Sequence, residues 1–274
     1  MKKQQTIAKA IEFSGLGIHT GKDALVRILP AHADSGVVFK KGGFSIAASV
    51  KNVVSTVRST TLGAEGITVH TVEHLMAALY ASGIDNAIIE MEGGDEIPIG
   101  DGSALFILSL IKDAGIKELS EEKKAFKIKN LISFRAGKSF IAGYPAGRFS
   151  LSVMVDYGDE VIGRQFVQYD PEKMDFFEKI APARTFAFEE EVKKLREAGF
   201  AQGGSLNNAL IITKGGYMNQ SRFEDEVARH KCLDLIGDLA LCGMEILGHI
   251  FAYRPGHGIN TDFVKKLLTI QDYK

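Results

Sequence analysis

The stretch RHKCLDLIGDLAL, residues 229–241, has the leucine-rich make-up of a buried helix, yet it carries His230, Lys231, Asp234 and Asp238. His230, Asp234 and Asp238 recur every four residues, so a helix sets them on one face. An imidazole and two carboxylates beside an apolar stripe are costly to bury for packing alone. Outward from this helix come Gly243, the strand-like EILGHIFAY (245–253), a Gly-containing loop and a closing helix, GINTDFVKKLLTI (258–270). The first half runs in the same order. VHTVEHLMAALYASG (69–83) reads as a second polar-studded helix, with Thr71 as its N-cap and Gly83 as its C′ residue. NAIIEME (86–92) follows as a strand, and then a helix from Gly102. Identity between the halves is negligible, so the likeness is one of pattern. If it reflects two like domains, the studded helices occupy matching places and face each other across an interface, where sites often form.

The rest of the chain fits this frame. Its 274 residues suffice for one large domain or two ordinary ones, and 45% hydrophobic with 24% charged residues is the balance of a globular protein with a real core. KELSEEKKAF (117–126) is a dense charge run between apolar regions and reads as a solvated linker, dividing the chain into 1–118 and 126–274. TIAKAIEF, ALVRILP and VVFK are strand-like before it; FKIKN, KSFIAGY, FSLSVMV, RQFVQY and ALIIT are strand-like after it. A net charge of −1 leaves no electrostatic footprint for nucleic acid. Cys232 and Cys242 fall on one predicted helix, which would set them about 15 Å apart, too far to bridge within the chain. MKKQQTIAKAIEF lacks the apolar centre of a signal peptide, and LALCGMEILGHIFAY (239–253) is too short and too polar to span a bilayer. A cytoplasmic location is expected.

Two arrangements of the polar residues carry chemistry. His70, Glu73 and His74 match H-x-x-E-H, a zinc-peptidase pattern that needs both histidines on one helix face. A cap at Thr71 would put His70 outside the helix and break that geometry. The other arrangement takes His74 from the first studded helix and the i, i+4 pair His230 and Asp234 from the second. Hydrolytic zinc sites use three protein ligands and leave one position open. Glu73 would then be general base, and Asp238 would orient a neighbour.

The residues TVEHLMAALYASGIDNAIIEMEGGDEIPIGDGSA (71–104), ARTFAF (183–188), GGSLNNALI (203–211), RHKCLDLIGDLALCG (229–243) and PGHG (255–258) together resemble the UDP-3-O-acyl-N-acetylglucosamine deacetylase (LpxC) family. FSGLGIHTGK (13–22) and IGRQ (162–165) extend the resemblance over nearly the whole chain, in the family's order. It implies an α+β fold of two similar domains, each a small sheet packed on a pair of helices, with the active site between them. It implies a zinc amidase that commits precursor to lipid A in Gram-negative bacteria, removing acetate from a UDP-3-O-acyl-N-acetylglucosamine substrate. Zn2+ is expected on His74, His230 and Asp234, with Fe2+ the alternative metal in the cell. Glu73 corresponds to the general base, His257 to the general acid, Asp238 to its hydrogen-bond partner and Thr185 to the hydroxyl that holds the oxyanion. Lys231 matches a lysine near the sugar diphosphate, and Phe186 an aromatic residue that contacts the sugar. The segment 189–212 falls where the family forms an apolar passage for the acyl chain, with Val192, Leu195 and Phe200 as its apolar side chains. A monomer is expected.

Two positions depart from some family members: Arg58 stands where those carry His, and Asn207 where they carry Lys. Each inferred role also has a plainer reading. A histidine between Gly256 and Gly258 would ordinarily be exposed, Thr185 and Phe186 could be ordinary strand residues, and Lys231 a solvated one. His19 in GIHTG matches a family histidine near the metal but is not counted in the catalytic set. A non-catalytic sugar-nucleotide or acyl-chain binding protein on the same scaffold is the rival function. It would have lost the base or the acid, and here Glu73 and His257 are both present.

Overall fold

The computed structural model describes residues 2–64, 66–158 and 161–271. In the first half, strands β1 (Lys3–Ile7), β2 (Ile11–Leu16), β3 (Asp23–Pro30), β4 (Val37–Lys41) and β5 (Phe44–Ala47) precede a small antiparallel sheet of β6 (Val53–Ser55), β7 (Thr61–Ala64) and β8 (Ile67–Val69). Helix α1 (Glu73–Ala81), strand β9 (Ala87–Gly93), helix α2 (Leu105–Ala114) and strand β10 (Ile116–Glu122) follow. The second half has β11 (Ala125–Lys127), β12 (Ile132–Ala136), β13 (Ser139–Tyr144), β14 (Phe149–Asp156) and β15 (Arg164–Tyr169). Then come α3 (Phe176–Lys179), β16 (Phe186–Phe188), α4 (Glu189–Glu197), β17 (Leu210–Thr213), β18 (Gly216–Tyr217), α5 (Glu226–Ala240), β19 (Glu245–Tyr253) and α6 (His257–Gln271).

Five strands of each main sheet follow the same topology, and the second sheet has β11 as a sixth strand on β19. One has the order β2-β3-β9-β4-β5, the other β12-β13-β19-β14-β15. In each, the central strand is last in the chain, antiparallel to one neighbour and parallel to the other. In each, a helix precedes that strand (α1, α5) and another follows it (α2, α6). The mixed α+β architecture is thus the expected one, and the repeated pattern of the sequence reappears in three dimensions. Alternation explains the strands. EILGHIFAY turns Ile246, Gly248, Ile250 and Ala252 inward and leaves every other residue half-buried.

Helices α1 and α5 pack on each other, and Gly237 is the reason they come so close. A Cβ there would overlap the Glu73 carbonyl oxygen. At the far end of α1, Gly83 takes the left-handed conformation expected of a C′ residue, with φ 74°. The N-terminal end differs from expectation. Thr71 is not the cap: it has φ 57°, its hydroxyl donates to the buried Glu96 carboxylate at 2.8 Å, and Val72 holds the cap position with no side-chain bond. His70 lies outside the helix, its backbone N–H bonded to Asp95 O at 2.8 Å and its ring against the Thr61 hydroxyl at 3.0 Å.

The charge run at 117–126 is mostly strand. β10 pairs antiparallel with β1, and β11 pairs parallel with β19. Pairing uses only backbone groups, so the charged side chains of β10 stay in water while the strand forms. TIAKAIEF divides at Ala8–Ala10 between β1 and β2, which belong to different sheets. The helix expected from Gly102 starts at Leu105. Both cysteines are buried and free. Among the described residues no helix is long and apolar enough to cross a membrane.

Candidate active site

The polar face of α5 is buried: His230, Asp234 and Asp238 are almost wholly covered, as are Glu73 and His74 in the first turn of α1. The close approach at Gly237 lays that first turn against the middle of α5. His74 Nε2 stands 3.5 Å from Asp234 Oδ1, and His230 Nε2 stands 3.4 Å from the same oxygen. One ligand atom from each of the three lies within 4.8 Å of the other two. His230 Nδ1 faces the Ala183 carbonyl at 3.2 Å and can only donate there, so Nε2 keeps its lone pair. Burial is the main influence on the His230 ring and lowers its pKa to about 3. His230 Nε2 and the Asp234 carboxylate thus face the same point. Asp234 Oδ1 and His74 Nδ1 are buried and have no hydrogen-bond partner among the described residues. Two imidazoles and a carboxylate with an unspent oxygen are the donor set of a hydrolytic metal site.

Burial also works against a charge on Asp234. The Lys231 ammonium and the imidazoles around it outweigh burial and hold its carboxyl well below the usual carboxylate range. The Lys231 ammonium donates to Asp234 Oδ2 at 2.8 Å and lies 5.5 Å from the centre of the Phe186 ring.

A second group adjoins the first. Glu73, Asp234 and His257 also offer atoms within 4.8 Å of one another. Glu73 Oε2 accepts the Thr60 backbone N–H at 2.9 Å, and burial raises the Glu73 pKa above its ordinary value. His257 is the first residue of α6 and is buried rather than exposed. Its Nδ1 donates to Asp238 Oδ2 at 3.0 Å, and its Nε2 faces the site 4.0 Å from Asp234 Oδ2. Asp238 also accepts the Thr60 hydroxyl at 2.6 Å and the Asn260 amide at 2.8 Å, so its position is fixed from three sides. Burial alone would lower the pKa of His257, but Asp238 and the other carboxylates overcome it and raise it to about 9.

These groups open on a cavity of about 1020 Å³. Its walls include Glu73, His74, His230, Lys231, Asp234, His257, Thr185 and Phe186, and further along Val192, Leu195, Leu206 and Ile211. Ten of the twelve residues singled out in the sequence thus line one space; Asp238 and Phe200 do not. Asp238 sits behind His257. Phe200 instead packs edge-on against His19, ring centres 5.5 Å apart, and His19 lines the cavity. Arg58 lines it too, reaching Glu191 on α4 at 3.3 Å. Asn207 lies in an exposed turn, its N–H on the Ser205 hydroxyl at 3.3 Å.

Several supporting residues escaped the sequence reading. Asn260 follows His257 by three residues on α6, a spacing that could have found it. Glu226 precedes His230 by four, extending the period of the opening motif by a turn. Thr60 offers no such signal, because its partner Asp238 is 178 residues away.

A convergent pair of imidazoles and a carboxylate, a buried carboxylate beside them and a carboxylate-backed histidine opposite are the kind of arrangement a metal-dependent hydrolase uses. The chain belongs to the UDP-3-O-acyl N-acetylglycosamine deacetylase (LpxC) family, a family of metalloenzymes whose sequence model matches residues 4–269. Curated proteins named UDP-3-O-acyl-N-acetylglucosamine deacetylase are similar along their length. That of Geotalea uraniireducens (strain Rf4) is 41% identical over 278 residues, covering 99% of this chain and 90% of the relative. That of a Nitratiruptor species is 40% identical, covering 97% and 90%. That of Nautilia profundicola is 41% identical, covering 99% and 94%.

Proposed function

We propose that this chain hydrolyses the N-acetyl group of UDP-3-O-(3-hydroxyacyl)-N-acetylglucosamine, giving acetate and the free 2-amino sugar nucleotide, in the cytoplasm and as a monomer. This is the committed step of lipid A biosynthesis. The observation that carries the reading is the convergence of His74, His230 and Asp234 with an unspent Asp234 oxygen, at the head of a cavity with an apolar wall. The donor set suits Zn2+, with Fe2+ as the alternative in the cell. Bound there, the ion supplies positive charge that brings the pKa of a water from about 15.7 to about 7 and polarises a carbonyl.

The chain's own groups divide the remaining work. Glu73, ionised, accepts the proton of the water that attacks the acetamide carbon. The Thr185 hydroxyl donates to the oxygen on which charge develops. The amine leaves poorly unless protonated, and His257 gives the proton to that nitrogen as the C–N bond breaks. Asp238 holds the His257 ring so that Nε2 faces the site. Lys231 and Phe186 meet the sugar diphosphate and the sugar. Val192 and Leu195 form the wall for the acyl chain. We place the domains at 1–118 and 126–274. The attachment of β10 to β1 and of β11 to β19 favours a boundary in that stretch.

The test is mass-spectrometric detection of acetate release from UDP-3-O-acyl-N-acetylglucosamine, with and without a chelator. Release should stop on metal removal and return on adding zinc. No release from the loaded enzyme, or full release without metal, sinks the proposal.

A further inference from the structure

Glu226 opens α5 one turn before His230, and its side chain is 1% exposed. Its partner Arg184 is 7% exposed. Glu226 Oε1 accepts the Arg184 backbone N–H at 3.0 Å and the guanidinium Nε at 2.9 Å. Its Oε2 accepts Arg184 Nη2 at 3.3 Å and the Arg222 backbone N–H at 2.6 Å. Arg184 Nη2 also donates to the Gln220 carbonyl at 2.7 Å. All the acceptor capacity of one buried carboxylate is thus spent on two short segments. A buried ion pair is a poor way to gain stability compared with apolar packing, so packing alone does not account for it.

The residues beside Arg184 supply the account. Ala183 gives the carbonyl that accepts from His230 Nδ1 at 3.2 Å. Thr185 lines the cavity, tied down by its N–H on Gly102 O and its carbonyl on Leu210 N–H, both at 2.8 Å. Glu226 and His230 are four apart on one rigid helix. Holding Arg184 on Glu226 therefore fixes the 183–185 segment relative to His230. A partner that holds the far nitrogen of a ligating histidine sets its tautomer and aim, and losing such a partner typically costs 10–100-fold in metal affinity.

Resting on the function proposed above, we propose that Glu226 and Arg184 are positioning residues for the reaction: they hold the Ala183 carbonyl that presents the His230 Nε2 lone pair, and they hold Thr185 against the cavity. Glu226→Gln removes the charge and keeps the shape. Arg184→Lys keeps the charge and loses the fork. The full chain of each is checked for folding by thermal unfolding, its zinc dissociation constant is measured by chelator competition, and kcat and KM are measured separately. Both variants should bind zinc about 10–100-fold more weakly than the parent, with kcat falling more than KM rises even at saturating zinc. Asp225→Asn, which breaks the adjacent Asp225–Arg229 pair, should match the parent in every readout. A lower unfolding temperature with unchanged zinc affinity and kcat would mark the pair as a structural anchor only and overturn the inference. If Glu226→Gln does not fold, Arg184→Lys decides by the same criteria. A parent chain that binds no zinc or releases no acetate would instead defeat the functional reading and take this inference with it.

Discussion

Of the fifteen residues of α5, thirteen are buried; of the nine of α4, none is. Both helices line the same cavity. On α5 the acidic groups other than Asp234 Oδ1 are spent on short, named contacts, such as Asp238 on Thr60, Asn260 and His257. On α4 the charged side chains are held by few partners, and Val192 and Leu195 are its apolar side chains on the cavity, half-buried. A buried helix is fixed by its neighbours to small tolerances, and a change of one methylene is felt. A helix with no buried side chain can shift at little cost. The contrast fits two tasks. Bond breaking needs fixed distances among reactive atoms, whereas an alkyl chain needs apolar cover and tolerates movement of the wall.

The rigid side should break hardest. His74→Ala or His230→Ala is expected to abolish both metal binding and activity, while His70→Ala should keep both, because His70 stands outside α1 against Thr61. Metal analysis of the three variants checks this. Zinc lost from His70→Ala would overturn the ligand set and restore the peptidase pattern. Gly237→Ala probes the same rigidity without touching a ligand. Its Cβ would overlap the Glu73 carbonyl, so α1 and α5 must part, at an expected cost of about 1–3 kcal/mol of stability and with weaker zinc binding. Wild-type unfolding and zinc affinity in Gly237→Ala would show that the contact is slack.

Next in size is the acid–base pair. Glu73→Gln should retain zinc and lose activity by about 10²–10⁴-fold. As the proposed base Glu73 must be ionised, and burial raises its pKa, so kcat/KM should climb as pH rises through that raised value. As the proposed acid His257 must be protonated; burial opposes its charge but Asp238 outweighs it and raises its pKa to about 9, so kcat/KM should fall as pH passes about 9. The profile is a bell. His257→Ala should lower kcat and remove the basic limb. Asp238→Asn takes away the charge that raises the histidine, so its basic limb should move to lower pH, with a smaller loss of rate. Full activity in a zinc-loaded Glu73→Gln would show that Glu73 is not the base.

How much of this could be read beforehand follows from how local each feature is. The α5 stripe repeats every four residues and β19 alternates every two, so both are visible in short windows. His257 offered nothing by spacing. Its place between two glycines suggested exposure, and only the resemblance gave it a role, whereas in the fold the start of α6 and Asp238 bury it. The 117–126 run misled because composition reports where side chains go, while β10 is made by backbone pairing with β1. Thr71 misled because a buried carboxylate 25 residues away, Glu96, claims the hydroxyl that a cap would use. Arg184 carries no local signal in ARTF, since its partner Glu226 lies 42 residues away.

The adaptable side should show smaller effects. Burying one CH₂ is worth about 0.8 kcal/mol, so a chain of roughly ten methylenes offers several kcal/mol even after large discounts. UDP-N-acetylglucosamine without the 3-O-acyl group should therefore react with kcat/KM lower by about 10²-fold or more. Leu195→Asp should narrow that gap by harming only the acylated substrate, and it should leave the unfolding temperature unchanged, since Leu195 is outside the core. Equal kcat/KM for the two substrates would sink the assignment of this wall to the acyl chain.

The smallest expected effect lies where the two sides meet. Arg58, with φ 66°, reaches across to Glu191, both guanidinium Nη atoms standing 3.3 Å from Oε2. Non-glycine residues rarely adopt that backbone conformation, and when they do they often sit beside functional sites. The pair links the loop beside the cavity to α4, but its side chains are 48% and 44% exposed. Exposed pairs are worth about 0–1 kcal/mol and are screened by salt. Arg58→Ala should thus raise KM for the acylated substrate by no more than about fivefold, leave kcat near the parent value, and lose even that effect at high ionic strength. Glu191→Gln should match it, and the double variant should add nothing, because each change breaks the same link. A hundredfold fall in kcat for Arg58→Ala would place Arg58 among the reacting groups and tie α4 to the rigid machinery of α5, and the distinction between a fixed and an adaptable wall would then be wrong.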